Sequence, residues 1–109
     1  MKNIISYDDN PELLEDHGDR FVCILFFLAK GVMGWPLNAD KVFDELEMEG
    51  FKDQPQARAK LIQFLEQQQP QRIQYDGATN MVRLTDQGLE WARECNSNTV
   101  FIEYKHLQN

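Results

Sequence analysis

Cysteine is scarce in this chain of 109 residues: Cys23 and Cys95 are its two, and they form no CxxC pair. Neither a disulfide framework nor a thiolate zinc site is indicated. Cys23 lies inside an apolar run and reads as a small buried hydrophobe. Cys95 follows a charged helix end and reads as a surface or edge thiol, and a disulfide between the two stays open. This usage suits a cytoplasmic protein. Histidine is as rare, and His17 and His106 belong to no HxxxH or Cys/His set. There is no GxGxxG, no P-loop and no GxSxG. Gly31 and Gly34 form a lone GxxG that a helix end explains better than a phosphate cradle. Carboxylates are plentiful over residues 8–19 and 40–53, but they read as solvated helix faces, not acid/base pairs. No enzyme chemistry, metal or cofactor is expected.

Long hydrophobic runs are also missing. The longest, Phe21 to Ala29, is nine residues, whereas a bilayer span needs about 20. It is predicted to be a core helix, with no membrane partner. The first residues do not read as a signal peptide, because Lys2 is the one charge before Asp8 and no apolar stretch follows. Low-complexity sequence is limited to Gln67-Gln68-Gln69-Pro70-Gln71. Length and composition suit a single domain, residues 1–109.

Positive charge is lacking in one half. Residues 1–53 carry five basic and twelve acidic side chains, and residues 54–109 carry six of each. The whole net charge of −7 therefore lies in the first half. Such a surface disfavours approach to phosphates or to an anionic membrane.

What is present is a legible order of elements. Asn10-Pro11 suits a helix start, with Glu12, Glu15 and Asp16 at the positive end of the helix dipole. Gly18 is a candidate break and Asp19 a fresh cap, giving a short helix over 11–17 and an apolar one to about Lys30. Gly31 and Gly34 mark its end. Trp35-Pro36-Leu37 is predicted to be extended, and Asn38 or Asp40 to cap a helix from Asp40 to Glu49. A third helix runs from Asp53, as its cap, to Gln68, with Pro55 in the first turn. Its apolar side is Ala57, Leu61, Phe64 and Leu65, with Ile62 at the margin. At about 100° per residue, Gln56, Lys60, Gln63 and Gln67 share a separate polar face.

After Pro70 the period changes to 2. Residues 72–75 and 82–84 alternate around the turn residues Asp76 to Asn80, which predicts a β-hairpin. Thr85 then caps a last helix, Asp86 to about Cys95. Residues 99–104 (TVFIEY) read as strand-like from their β-branched and aromatic content.

Helix, helix, helix, hairpin, helix is the order of a winged helix-turn-helix. The stretch R-L-T-D-Q-G (Arg83 to Gly88) resembles the L-T-x-x-G segment of MarR- and PadR-type regulators. The resemblance covers about residues 19–95 and implies a mainly α, α+β winged-helix domain: three helices, a hairpin wing, a C-terminal helix and a terminal apolar segment. It also implies a DNA-binding regulator. Helix 53–68 would enter the major groove and the hairpin over 72–84 would touch the backbone. The candidate DNA contacts are Gln56, Arg58, Lys60, Gln63, Gln67, Arg72 and Arg83. Glutamine bonds adenine bidentately, and the cations reach guanine or phosphate.

Three features depart from that pattern. The third helix has two cations, the second is acidic, and the wing tip carries Asp76 and no cation. The alternative is therefore a winged-helix module that binds a protein through its acidic half, as an assembly adaptor or a phage or mobile-element protein. A first long helix that is apolar nearly all round also needs cover, either from Val100, Phe101, Ile102 and Tyr104 or from a second subunit in a homodimer. Trp35 and Trp91 are expected in the core or at an interface.

Overall fold

A computed structural model describes residues 6–32, 34–46, 54–95 and 102–108. Among these, the chain forms a mixed α+β fold of four α-helices and a three-stranded antiparallel sheet. The helices are α1 (Glu12–Leu28), α2 (Ala39–Glu45), α3 (Pro55–Gln67) and α4 (Asp86–Glu94). The strands are β1 (Leu37–Asn38), β2 (Ile73–Asp76) and β3 (Met81–Leu84), in the spatial order β1-β3-β2.

The first helix is the centre of the molecule. Phe21 to Leu25 are each at most 1% exposed, a burial that only a helix surrounded on all sides achieves. α2, α3, α4, β3 and a short 3-10 helix (Lys105–Gln108) pack against it. Each fully buried large apolar side chain contributes about 1.5–3 kcal/mol. Cover for residues 21–25 thus comes from within the chain. Tyr104 supplies part of that cover, whereas Ile102 is exposed; Val100 and Phe101 lie outside the described residues.

Several local expectations need correction. Gly18 does not break the helix, and Asp19 is not a cap: both lie inside the continuous α1. The glycine serves close packing instead, since an added Cβ would lie 3.2 Å from Leu65 and 3.3 Å from Phe64 of α3. Asn10 makes no side-chain cap; its carbonyl accepts from the Leu13 amide at 3.0 Å. The segment before α1 is held by a 2.8 Å hydrogen bond between the Tyr7 hydroxyl and Nδ1 of the buried His17.

Asn38 is the α2 cap, its side chain accepting from the Asp40 amide at 2.8 Å. α2 is shorter than predicted, with Leu46 as its C-cap. Residues 47–53, including Asp53 as the expected α3 cap, lie outside the described residues. Gln54 occupies the α3 N-cap without a side-chain capping bond to the helix, and Pro55 opens the first turn. Ala57, Leu61, Ile62 and Leu65 are buried, while Phe64 is half-buried. The margin of the apolar face therefore belongs to Phe64.

The hairpin forms as predicted, with Tyr75 opposite Val82 and Gln74 opposite Arg83. Trp35-Pro36-Leu37 runs into β1, which pairs with β3 through Leu37 opposite Val82. Residues 102–103 are helical and are followed by the 3-10 helix, so the described part of the terminal segment is not a strand. The reason is visible at Arg20. Its guanidinium Nη1 donates to Glu103 at 2.7 Å and to the Tyr104 hydroxyl at 3.3 Å. Consecutive side chains reach one partner from a helical turn, whereas a strand would send them to opposite faces.

The step from β3 into α4 is closely fitted. Leu84 is 2% exposed, and the Thr85 hydroxyl accepts from the Gly88 amide at 3.1 Å. A Cβ on Gly88 would lie 2.0 Å from the Arg72 carbonyl oxygen. Only glycine fits there.

Candidate functional site

The exposed face of α3 carries Gln56, Lys60, Gln63 and Gln67 in one stripe, as the helical period requires. The three glutamines are solvent-exposed. Lys60 is half-exposed and its Nζ pairs with Asp8 at 2.8 Å. A pair this open is worth about 1 kcal/mol or less, but it places a carboxylate beside the one cation of the stripe.

The structure gives Arg72 a role other than phosphate contact. It is 7% exposed and lies behind α3. Nη1 donates to Asp19 of α1 at 3.1 Å, and Nε and Nη2 donate to Gln68 Oε1 at 3.0 and 2.7 Å. The guanidinium stacks 4.4 Å from the centre of the Trp91 ring on α4. The side chain ties three helices together, and Trp91 is half-buried as its partner. Burial raises the Asp19 carboxyl above its ordinary range, and the Arg72 charge opposes that shift without cancelling it.

Arg58 lies off the glutamine stripe. Its guanidinium pairs with Asp40 of α2 and lies 4.6 Å above the centre of the Phe43 ring. Asp40 also accepts from Asn80 Nδ2 at 3.1 Å, and Asn80 Oδ1 accepts from the Tyr75 hydroxyl at 2.8 Å. The Asn80 carbonyl accepts from the Ala39 amide at 2.9 Å. This cluster pins the hairpin turn to the start of α2. The hydrogen bond from Arg58 holds the Asp40 carboxyl below its usual range. Asn80 adopts φ 56°, a left-handed conformation that asparagine tolerates.

Arg83 is exposed on the outer face of the sheet, where Nε donates to Gln74 Oε1 at 2.7 Å. The candidates therefore divide into an exposed stripe (Gln56, Lys60, Gln63, Gln67), an exposed wing cation (Arg83) and two engaged arginines (Arg58, Arg72). Sequence reasoning missed Asn80 and Tyr75 as parts of this surface, and Phe43 as the buried ring beneath Arg58. The pairing of Asn80 with Asp40 spans 40 residues, and no local pattern encodes it.

Two depressions flank this region. One, of about 380 Å³, lies where α3, α2 and the hairpin meet, over Phe43, Pro55, Ala59 and Ile62. The other, of about 560 Å³, lies along the hairpin by Gln74, Asp76 and Arg83. Both include Glu66 and Tyr75 in their walls.

Both cysteines are free thiols, Cys23 buried and Cys95 half-buried. Burial pushes the Cys23 thiol up to about 12 and raises Cys95 as well. Among the described residues no group of three or more His, Cys, Asp or Glu side chains is arranged to hold a metal ion, and no helix is long and apolar enough to cross a membrane. Trp35 is about half-exposed and so is not a core residue.

No protein-family model, no curated protein and no solved structure matches this chain.

Proposed function

We propose that this chain is a winged helix-turn-helix domain that works by binding another protein. The fold reading is supported by the order α1-β1-α2-α3-β2-β3-α4 and by a sheet in which the hairpin's second strand pairs with β1. In that reading α3 is the presented helix and β2–β3 the wing.

The observation that carries the function is the fate of the arginines. Arg72 is buried among Asp19, Gln68 and Trp91, and Arg58 is paired with Asp40 over Phe43. With Arg58 and Asp40 set aside as a pair, the cations left on the α3 and wing side among the described residues are Lys60 and Arg83, beside the exposed carboxylates Asp8, Glu66 and Asp76. DNA affinity rests on releasing counterions at several phosphates. Two exposed cations among three carboxylates, one of them paired with Lys60, give little of that term, while an acidic groove-bearing surface suits a protein partner.

One observation favours the DNA regulator reading: Gln56, Lys60, Gln63 and Gln67 do share one exposed face, with the right groups for base edges. Fluorescence anisotropy on labelled duplex DNA, including the protein's own upstream region, separates the two. The interaction reading expects no saturable binding even at low salt. Saturable, steeply salt-dependent binding that Lys60→Glu and Arg83→Glu both abolish would establish the DNA reading instead.

A further inference from the structure

We infer that the groove where α3, α2 and the hairpin meet is the docking site for a partner segment that carries lysines or arginines beside an apolar anchor. The inference rests on the protein-binding reading and names the chemistry of that partner.

The groove is already formed in the isolated chain. Ile62 and, beneath the Arg58 guanidinium, Phe43 lie at its floor, and Pro55, Ala59 and Tyr75 make its apolar walls. The bonds from Asn80 to Asp40 and to Tyr75 fix the hairpin against α2, so its width is set before any partner arrives. A preformed site avoids the ordering cost of binding. An apolar floor with a few convergent polar groups is what a side-chain anchor requires.

Among the described residues, the charges around this floor are a paired cation, Arg58 with Asp40, and further carboxylates. Glu66 is exposed and lines the groove. Asp40 stands beside Asn80 at its edge, and Asp44 lies one turn further along α2, on the same side of that helix. Asp76 lines the neighbouring depression, which shares Glu66 and Tyr75 and also holds Arg83. The groove's own cation, Arg58, is neutralised by Asp40. Of the other carboxylates, Glu66 lines the groove itself, Asp76 lines the neighbouring depression and Asp44 lies along α2 from Asp40. Complementarity selects a basic segment and disfavours both an acidic peptide and a nucleic acid backbone.

The test uses the full chain and a fluorescently labelled amphipathic peptide with a leucine stripe flanked by lysines. Its controls are the same peptide with every lysine replaced by glutamate, and a DNA duplex. The basic peptide is expected to bind saturably, about tenfold or more tighter than the acidic one, with an affinity that falls as salt rises. The double change Asp44→Lys with Glu66→Lys is expected to weaken it about tenfold or more. Ala59→Arg, which fills the groove from an exposed position, is expected to do the same. Glu94→Lys, an exposed reversal on α4, is the control and should leave binding unchanged. Preference for the acidic peptide, blocked by Ala59→Arg, would overturn this inference and leave the protein-binding reading standing. Binding that ignores all the groove variants, or no peptide binding, would overturn the inference. Saturable DNA binding would remove the protein-binding reading itself.

Discussion

Arg72 and Arg58 are the same residue type and flank the same helix, yet they live in different media. Behind α3, Arg72 is almost entirely removed from water and bridges α1, α3 and α4. In front, Arg58 keeps about a fifth of its side-chain surface in solvent and pairs with a carboxylate that is more than half exposed. Both are held by a carboxylate and an aromatic ring. The difference is that the rear cluster is structural and costly to break, while the front cluster is a surface feature that shapes a groove. A charge removed from water binds its partners far more strongly and is far more damaging to strand.

The comparison breaks most sharply at Gly88. An added methyl would meet the backbone oxygen of Arg72, which has no flexible way to retreat. Gly88→Ala is expected to cost about 4 kcal/mol or more, or to prevent folding, even though alanine gains about 1 kcal/mol of helix propensity. Thermal melting followed by circular dichroism decides it. A stability equal to or above the parent would mean that α4 does not approach the strand this closely.

The two arginines give the next contrast. Arg72→Met keeps apolar volume against Trp91 but strands Asp19, and a loss of about 2–3 kcal/mol is expected, discounted from a fully buried pair because Asp19 is nearly half exposed. Arg58→Met is expected to cost about 1 kcal/mol or less. Urea titrations of the two variants compare them directly, and equal losses would erase the distinction between rear and front. Adding Asp19→Asn to Arg72→Met should recover part of the loss, as expected of a coupled pair.

Titration sharpens the same contrast with a smaller effect. Asp19 has its pKa raised above 3.8 by burial, so the fold binds its proton more tightly than the unfolded chain does. Its ionisation weakens the fold as pH rises through the folded pKa. Asp40 has its pKa lowered below 3.8 by the Arg58 bond, so its contribution is complete above that value and is lost as pH falls through the folded pKa. Carboxyl chemical shifts followed by NMR should show Asp19 titrating above Asp40, and the reverse order would contradict the account.

The smallest effect concerns the thiols. Cys23, buried and held up to about 12, should resist alkylation in the native protein while the half-buried Cys95 reacts. Mass spectrometry after a short iodoacetamide pulse separates them.

The sequence carried the α3 period, the hairpin turn and the Thr85 cap plainly, because each is a local signal a few residues long. Gly18 misled because its local meaning, a helix break, gave way to a tertiary one, the approach of Leu65 and Phe64. The described end of the terminal segment, residues 102–104, misled similarly: the β-branched and aromatic content of TVFIEY spoke for a strand, while Arg20 holds Glu103 and Tyr104 on one side of a turn. Of the candidate site, the glutamine stripe was legible from helical spacing. The fate of Arg58 and Arg72 was not, because their partners Asp40 and Asp19 lie 18 and 53 residues away.

The central claim is that the surface of α3 and the hairpin receives a basic protein segment and not DNA. Amide chemical-shift mapping of the labelled chain, titrated in one low-salt buffer with the basic amphipathic peptide and separately with duplex DNA, tests it most directly. The account predicts that the peptide moves the amides of Ala59, Ile62, Glu66, Tyr75 and Asn80 while DNA leaves α3 unmoved. Saturable DNA-induced shifts at Gln56, Lys60, Gln63 and Gln67 would contradict it.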